Sequence, residues 1–170
     1  MDRKLVYNLN QAAIRGIRSS GATKQSIMVE GDHWSSANGW EGFNDALKTL
    51  SDPSNKLIYE MHQYLDSDGS GTGEVCVSTT IGVERISGAT AWLRKNGKKG
   101  FLGEFSAGAN DQCRQALTNL LDFMEKNSDV WLGATFWAAG PGWGDYPFSY
   151  ESPSGRAYQF YHDLLHNYLP

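Results

Sequence analysis

No stretch of this sequence approaches the roughly 20 consecutive apolar residues that cross a bilayer, so a membrane-spanning protein is not expected. The first residues, Met1-Asp2-Arg3-Lys4-Leu5, contain no apolar core of the kind a secretory signal uses. A mature or recombinant chain would lack one too, so secretion stays open. Positive charge is not in excess. The 15 Lys and Arg are outnumbered by 19 Asp and Glu, for a net charge of -4. That sign argues against a nucleic-acid partner, which calls for a basic face. Cysteine is scarce: Cys76 and Cys113 are far apart and form no CxxC pair. They read either as a disulfide in an extracellular protein or as two buried thiols in a reducing compartment. The four histidines are scattered, and although His162 and His166 are one helical turn apart, no HExxH is present. Gly140 to Gly144 lacks the Lys and the following helix of a phosphate loop, and no GxSxG elbow occurs. Neither a cofactor nor a metal ion is expected. There is no low-complexity segment and no linker, and 170 residues suffice for one core, so a single domain is expected over 1–170.

Aromatic residues are abundant. Six Trp, eight Tyr and seven Phe are present, and most of the Trp residues sit among Gly, Ser, Asn and Asp. Such rings offer flat faces at a low entropic cost of immobilisation, and sugars stack their C–H faces on them. Any one of them could equally be a core or hinge residue.

The chain alternates amphipathic helices with short apolar strands. Residues 6–19 read as a helix with Leu9, Ala13, Ile14 and Ile17 on its apolar face, ended by Gly21. A strand over 26–31, a Trp- and Gly-rich loop over 32–42 and a helix near 43–50 follow. A strand over 57–64, a polar loop over 66–74, a helix over 80–96 and a strand over 101–105 come next. A helix over 112–126, a strand over 130–137 and a helix near 155–168 complete the string. Helix followed by four strand–helix units is an α/β pattern of parallel strands joined by helical crossovers. The loops after the strands are rich in polar and aromatic residues, and most loops before them are short. That asymmetry suits a barrel whose site lies at the C-terminal ends of its strands. A four-stranded doubly wound sheet gives a similar string.

Three strand ends could carry chemistry. Glu104, in Gly103-Glu104-Phe105, would be held on a rigid element as a nucleophile or general acid/base. His62 and Tyr64 share a parity on their strand and so a side, and could orient a sugar hydroxyl or a carboxylate. Glu60 has the same parity one layer deeper, and would need a partner if buried. Trp137, with Ala138-Ala139-Gly140 beside it, could floor a sugar site. The plainer readings are a solvated acid, a satisfied structural histidine and a core Trp that plugs the sheet end.

The segments Ile58-Tyr59-Glu60-Met61-His62-Gln63-Tyr64-Leu65-Asp66, Gly82-Val83-Glu84-Arg85, Gly100-Phe101-Leu102-Gly103-Glu104-Phe105 and Trp131-Leu132-Gly133-Ala134-Thr135-Phe136-Trp137-Ala138-Ala139-Gly140 resemble fungal endo-β-1,4-glucanases of glycoside hydrolase family 5. So does Val29-Glu30-Gly31 followed by Trp34. The resemblance runs in order along essentially the whole chain. It implies half of a TIM (β/α)8 barrel, made of four βα units that correspond to strands five to eight, and a retaining mechanism. It implies that Glu104 is the nucleophile, that His62 and Tyr64 line the cleavage site, and that Trp137 stacks under the sugar before the cut, with Trp34 a further sugar contact. It raises the disulfide reading of Cys76 and Cys113, and an extracellular location. The family's acid/base belongs to an Asn-Glu-Pro motif, and that tripeptide occurs nowhere in this sequence. The resemblance starts in the fourth helix, so the strands that carry that motif are missing.

Four strands of a barrel leave two open edges, an aggregation hazard. Two copies related by a twofold axis would close them, each chain's last strand pairing with the other's first. The expectation is therefore a homodimer with one composite barrel and weak hydrolysis of β-1,4-glucan. Two Glu104 residues would face each other across its mouth, one as acid and its twin as base or nucleophile. That arrangement suits the roughly 6.5–9.5 Å carboxylate spacing of inverting enzymes better than the about 5–5.5 Å of retaining ones. The alternatives are a half barrel that binds glucan through Trp137, Trp34 and Trp143 without turnover, and an inactive cellulase fragment.

Overall fold

Two edges of one parallel sheet stay open in the computed structural model, which describes residues 2–169. Strands β1 (Ile27–Val29), β2 (Leu57–Tyr64), β3 (Gly100–Ser106) and β4 (Trp131–Phe136) pair in the order β1-β2-β3-β4, every pair parallel. A doubly wound sheet reverses its strand order at a switch point. Here spatial order follows chain order without reversal, as in a barrel wall. The helices are α1 (Arg3–Ser19), α2 (Trp40–Asn44), α3 (Ile81–Lys95), α4 (Asp111–Lys126) and α5 (Arg156–His166). None of the described helices is long and apolar enough to cross a membrane.

The outer face of the sheet forms the core with the helices. Tyr59 and Met61 of β2 and Leu102 of β3 are fully buried there. Tyr59 meets Trp92 of α3 edge-on at 5.3 Å, and Trp92 meets Trp40 of α2 at 5.8 Å. Trp131 of β4 donates its indole N–H to Thr90 of α3 at 2.9 Å. The inner face holds Met28, which is 49 % exposed, and the residues of the cleft described below. Cys76, in the loop after β2, is bonded to Cys113 in the first turn of α4.

Two local expectations change. The inner face of α1 is Val6, Gln11, Ile14 and Arg18, whereas Leu9 and Ile17 are exposed. The reason is polar anchoring. Gln11 exchanges hydrogen bonds with the backbone of Ser51 in both directions at 2.9 Å, and Arg18 forks onto Asp52 at 2.7 and 2.9 Å. The helix expected near 43–50 instead starts at Trp40 and tightens into a 3-10 turn over Asp45–Thr49. The buried Tyr59 hydroxyl donates to the Leu47 carbonyl at 2.9 Å, and the same carbonyl accepts the 3-10 bond from Leu50 N at 3.0 Å.

Candidate active site

The C-terminal ends of all four strands open onto a cleft of about 1090 Å³. His62, Tyr64, Glu104, Trp137 and Trp34 all line it. Glu104 lies at its centre because of a bulge. Leu102 pairs with Met61, but the next partner of His62 is Glu104, so Gly103 is the extra residue. Leu102 and Glu104 have the same sequence parity. The bulge leaves Leu102 in the core and turns Glu104 into the cleft beside His62. Glycine suits the extra position, since a Cβ there would lie 1.8 Å from Glu60 Oε1.

Glu104 is held from β2 by two groups. The Tyr64 hydroxyl donates to Glu104 Oε2 at 2.8 Å, and His62 Nδ1 lies 3.6 Å from the same oxygen. Burial first, then the hydrogen bond to Glu104, pushes the Tyr64 phenol far above its ordinary value, so it stays a donor. The other His62 nitrogen, Nε2, is 2.9 Å from Glu60 Oε1. Burial alone would lower the His62 pKa. The bond to Glu60 and the charges of Glu60, Glu104 and Glu30 outweigh burial, and the net shift is upward from 6.5.

Loops complete the cleft. After β2, the buried Asp66 carboxylate accepts from the backbone N–H groups of Gly71, Thr72 and Gly73 at 3.1, 3.1 and 2.9 Å. This ties the loop down onto Tyr64. Gly71 is so close to the phenol ring that a Cβ would come within 2.5 Å of it. After β1, His33, Trp34 and Ser35 all adopt left-handed backbone, with φ of 57°, 52° and 53°. Each such residue costs about 1–2 kcal/mol. The turn is pinned by the Ser35 hydroxyl, which accepts from Gly31 N at 3.0 Å and donates to the Glu60 carbonyl at 2.7 Å. His33 stacks on Phe43 at 4.1 Å. The outcome is a Trp34 ring that is 83 % exposed on the rim. After β4, Trp137 packs edge-on against Trp143 at 5.4 Å and is hydrogen-bonded to Tyr146. Trp143 also packs against Tyr146 at 4.8 Å and is not among the residues that line the cleft.

Sequence reasoning did not pick out Glu30, Asp68 or Tyr146, which also line the cleft. Glu30 closes β1 at the same height as the other strand-end residues, a signal that was readable. Tyr146 sits in an irregular loop, and nothing in the local pattern marks it.

The model of the family described as Cellulase (glycosyl hydrolase family 5) matches residues 3–140. Endoglucanase gh5-1 of Neurospora crassa is 61% identical over 170 residues, covering 100% of this chain and 44% of that protein. Endo-beta-1,4-glucanase A of Emericella nidulans is 60% identical over 169 residues, covering 99% of this chain and 52% of that protein. The structure of XacCel5A in complex with cellopentaose superposes with a TM-score of 0.92 at 42% identity, covering 99% of this chain and 56% of that one. The endoglucanase Cel5A of Pseudomonas stutzeri superposes at 0.85 with 36% identity, covering 96% of this chain and 50% of that one. The chain therefore spans about half the length of the relatives it matches, and its four strands and their helices are half of the TIM barrel of those cellulases. On the family match and on identity sustained along its whole length, the chain belongs to glycosyl hydrolase family 5, the cellulase family.

Proposed function

We propose that this chain hydrolyses β-1,4-glucan, weakly, with Glu104 as the reacting carboxylate. The observation that carries the reading is the clamp on Glu104 Oε2, with the Tyr64 hydroxyl at 2.8 Å and His62 Nδ1 at 3.6 Å, inside a cleft rimmed by aromatic rings. One oxygen so held leaves the other free for an anomeric carbon or a proton. Trp137 is the stacking floor and Trp34 a second platform. Relatives named as endoglucanases, and a structural neighbour described with cellopentaose, support β-1,4-glucan as the substrate class. The Cys76–Cys113 disulfide supports an extracellular setting.

In the same reading a second copy completes the barrel and contributes the second Glu104. Complementary edges support it. The exposed face of α1, the helix that precedes the edge strand β1 in the chain, carries Leu5, Leu9 and Ile17. Beyond the other free edge, β4, lies an apolar groove lined by Leu121, Met124, Leu132, Leu165 and Leu169. One copy's α1 would fill the other's groove as β4 and β1 pair, twice in a closed dimer. Binding without turnover is the second reading, favoured by the share of the relatives' length that this chain spans. Reducing-end release from carboxymethylcellulose, measured for the chain and for Glu104→Gln, separates the two. Pull-down on cellulose with no release favours binding alone.

A further inference from the structure

Glu60 is a buried carboxylate that the glucan chemistry does not itself require. Its side chain is 9% exposed. Oε1 is 2.9 Å from His62 Nε2, and Oε2 is buried with no hydrogen-bond partner among the described residues. A half-paired buried carboxylate is costly. The fold nonetheless makes room for it with the extra residue of the β3 bulge, because any side chain at Gly103 would collide with Oε1. The bulge that turns Glu104 into the cleft is thus the same one that admits Glu60 beneath His62.

The consequence lies in the two ring nitrogens. Hydrogen-bonded to Glu60, Nε2 carries a proton. In the neutral ring Nδ1 would then present a lone pair to Glu104 Oε2 at 3.6 Å, where two electron-rich atoms repel. A proton on Nδ1 turns that contact into charge attraction across 3.6 Å, beside the hydrogen bond that Tyr64 donates to the same oxygen. We propose that Glu60 is a positioning residue for Glu104 and acts through His62, fixing the ring with Nε2–H toward Glu60 and holding it as the cation whose Nδ1–H faces Glu104. The proposal rests on Glu104 being the reacting carboxylate. The charged groups that face His62 are Glu60 on its own strand, Glu104 on β3 and Glu30 at the end of β1. With Glu60 in place, Glu104 faces a local counter-charge before any substrate arrives. Without it, the ring is free to turn and to lose its proton.

The test is histidine nitrogen NMR on the intact chain, with His62 assigned by its loss in His62→Asn. It uses no glucan, so failure of glucan hydrolysis and failure of this proposal are separate results. In the wild type, His62 should titrate above the ordinary imidazole value of 6.5, and its neutral form should carry the proton on Nε2. Glu60→Gln removes the charge at constant size, and Gly103→Ala displaces the intact carboxylate. Either should move the His62 midpoint down and leave His162 and His166, on α5, unmoved. A wild-type neutral ring protonated on Nδ1 overturns the proposal, as does an unchanged midpoint in a folded variant. If neither variant folds, a wild-type His62 that titrates at or below 6.5, or whose neutral form is protonated on Nδ1, still overturns the proposal.

Discussion

Tyr64 shows how much one side chain carries. Its hydroxyl is the shortest hold on Glu104, its ring is pressed by Gly71, and its carbonyl takes Arg85 Nη1 at 2.6 Å. Tyr64→Phe keeps the ring packing and deletes only the donor. A hydrogen bond to a charged group contributes about 1.5–3 kcal/mol, so sugar release should fall roughly 10- to 100-fold. Unchanged release with a normal melting curve would remove Tyr64 from the site. His62, Tyr64 and Glu104 could be picked out in sequence, because strand parity and the motifs around them put them at strand ends. The bulge at Gly103 was not legible, since Leu102 and Glu104 have one parity and only the pairing with β2 separates their faces. The left-handed turn at His33, Trp34 and Ser35 was hidden for a similar reason. Trp34 and Ser35 are not residues that favour such backbone, although His33 is of a type enriched in it, and the distant pin that holds the turn is the Glu60 carbonyl.

Among the elements, β2 runs Leu57–Tyr64 as expected, with Glu60, His62 and Tyr64 alternating with the buried Tyr59 and Met61, and α3, α4 and α5 fall within a residue or two of expectation. These are long segments with strong periodicity, bounded by polar turns. The face of α1 was misread because Gln11 and Arg18 bury their polar ends where Leu9 and Ile17 would be expected to point. The Arg18–Asp52 pair joins α1 to the turn before β2, and Asp52 also caps the backbone N–H groups of Ser54 and Lys56. The hydrogen bond from Arg18, with those from the two N–H groups, holds the Asp52 carboxyl well below its ordinary 3.8. A lowered folded value means that the stabilisation is present above 3.8 and is lost as pH falls through the folded value. Asp52→Asn should therefore melt lower than wild type at about pH 7, with the gap narrowing by about pH 3. A gap that is constant across that range would mean that the pairing is not what Asp52 contributes.

At the scale of the whole molecule, two open edges and two exposed apolar surfaces need cover. Leu9 is 57% exposed, so Leu9→Lys should leave the fold intact. If α1 fills the partner's groove, each buried Leu contributes roughly 1.5–3 kcal/mol and the twofold axis counts it twice. Association should then weaken about 100-fold or more. Light scattering should give twice the 18.8 kDa chain mass for the wild type and the single mass for the variant. A monomeric wild type would end the composite barrel. The central claim is that this half of a cellulase barrel carries a working carboxylate in Glu104. Its most direct test is reducing-end release from carboxymethylcellulose by the chain and by Glu104→Gln, purified in the same way. Release by the chain, cut at least about 100-fold in the variant, is the expected result. Equal release by both, or none by either, would contradict it.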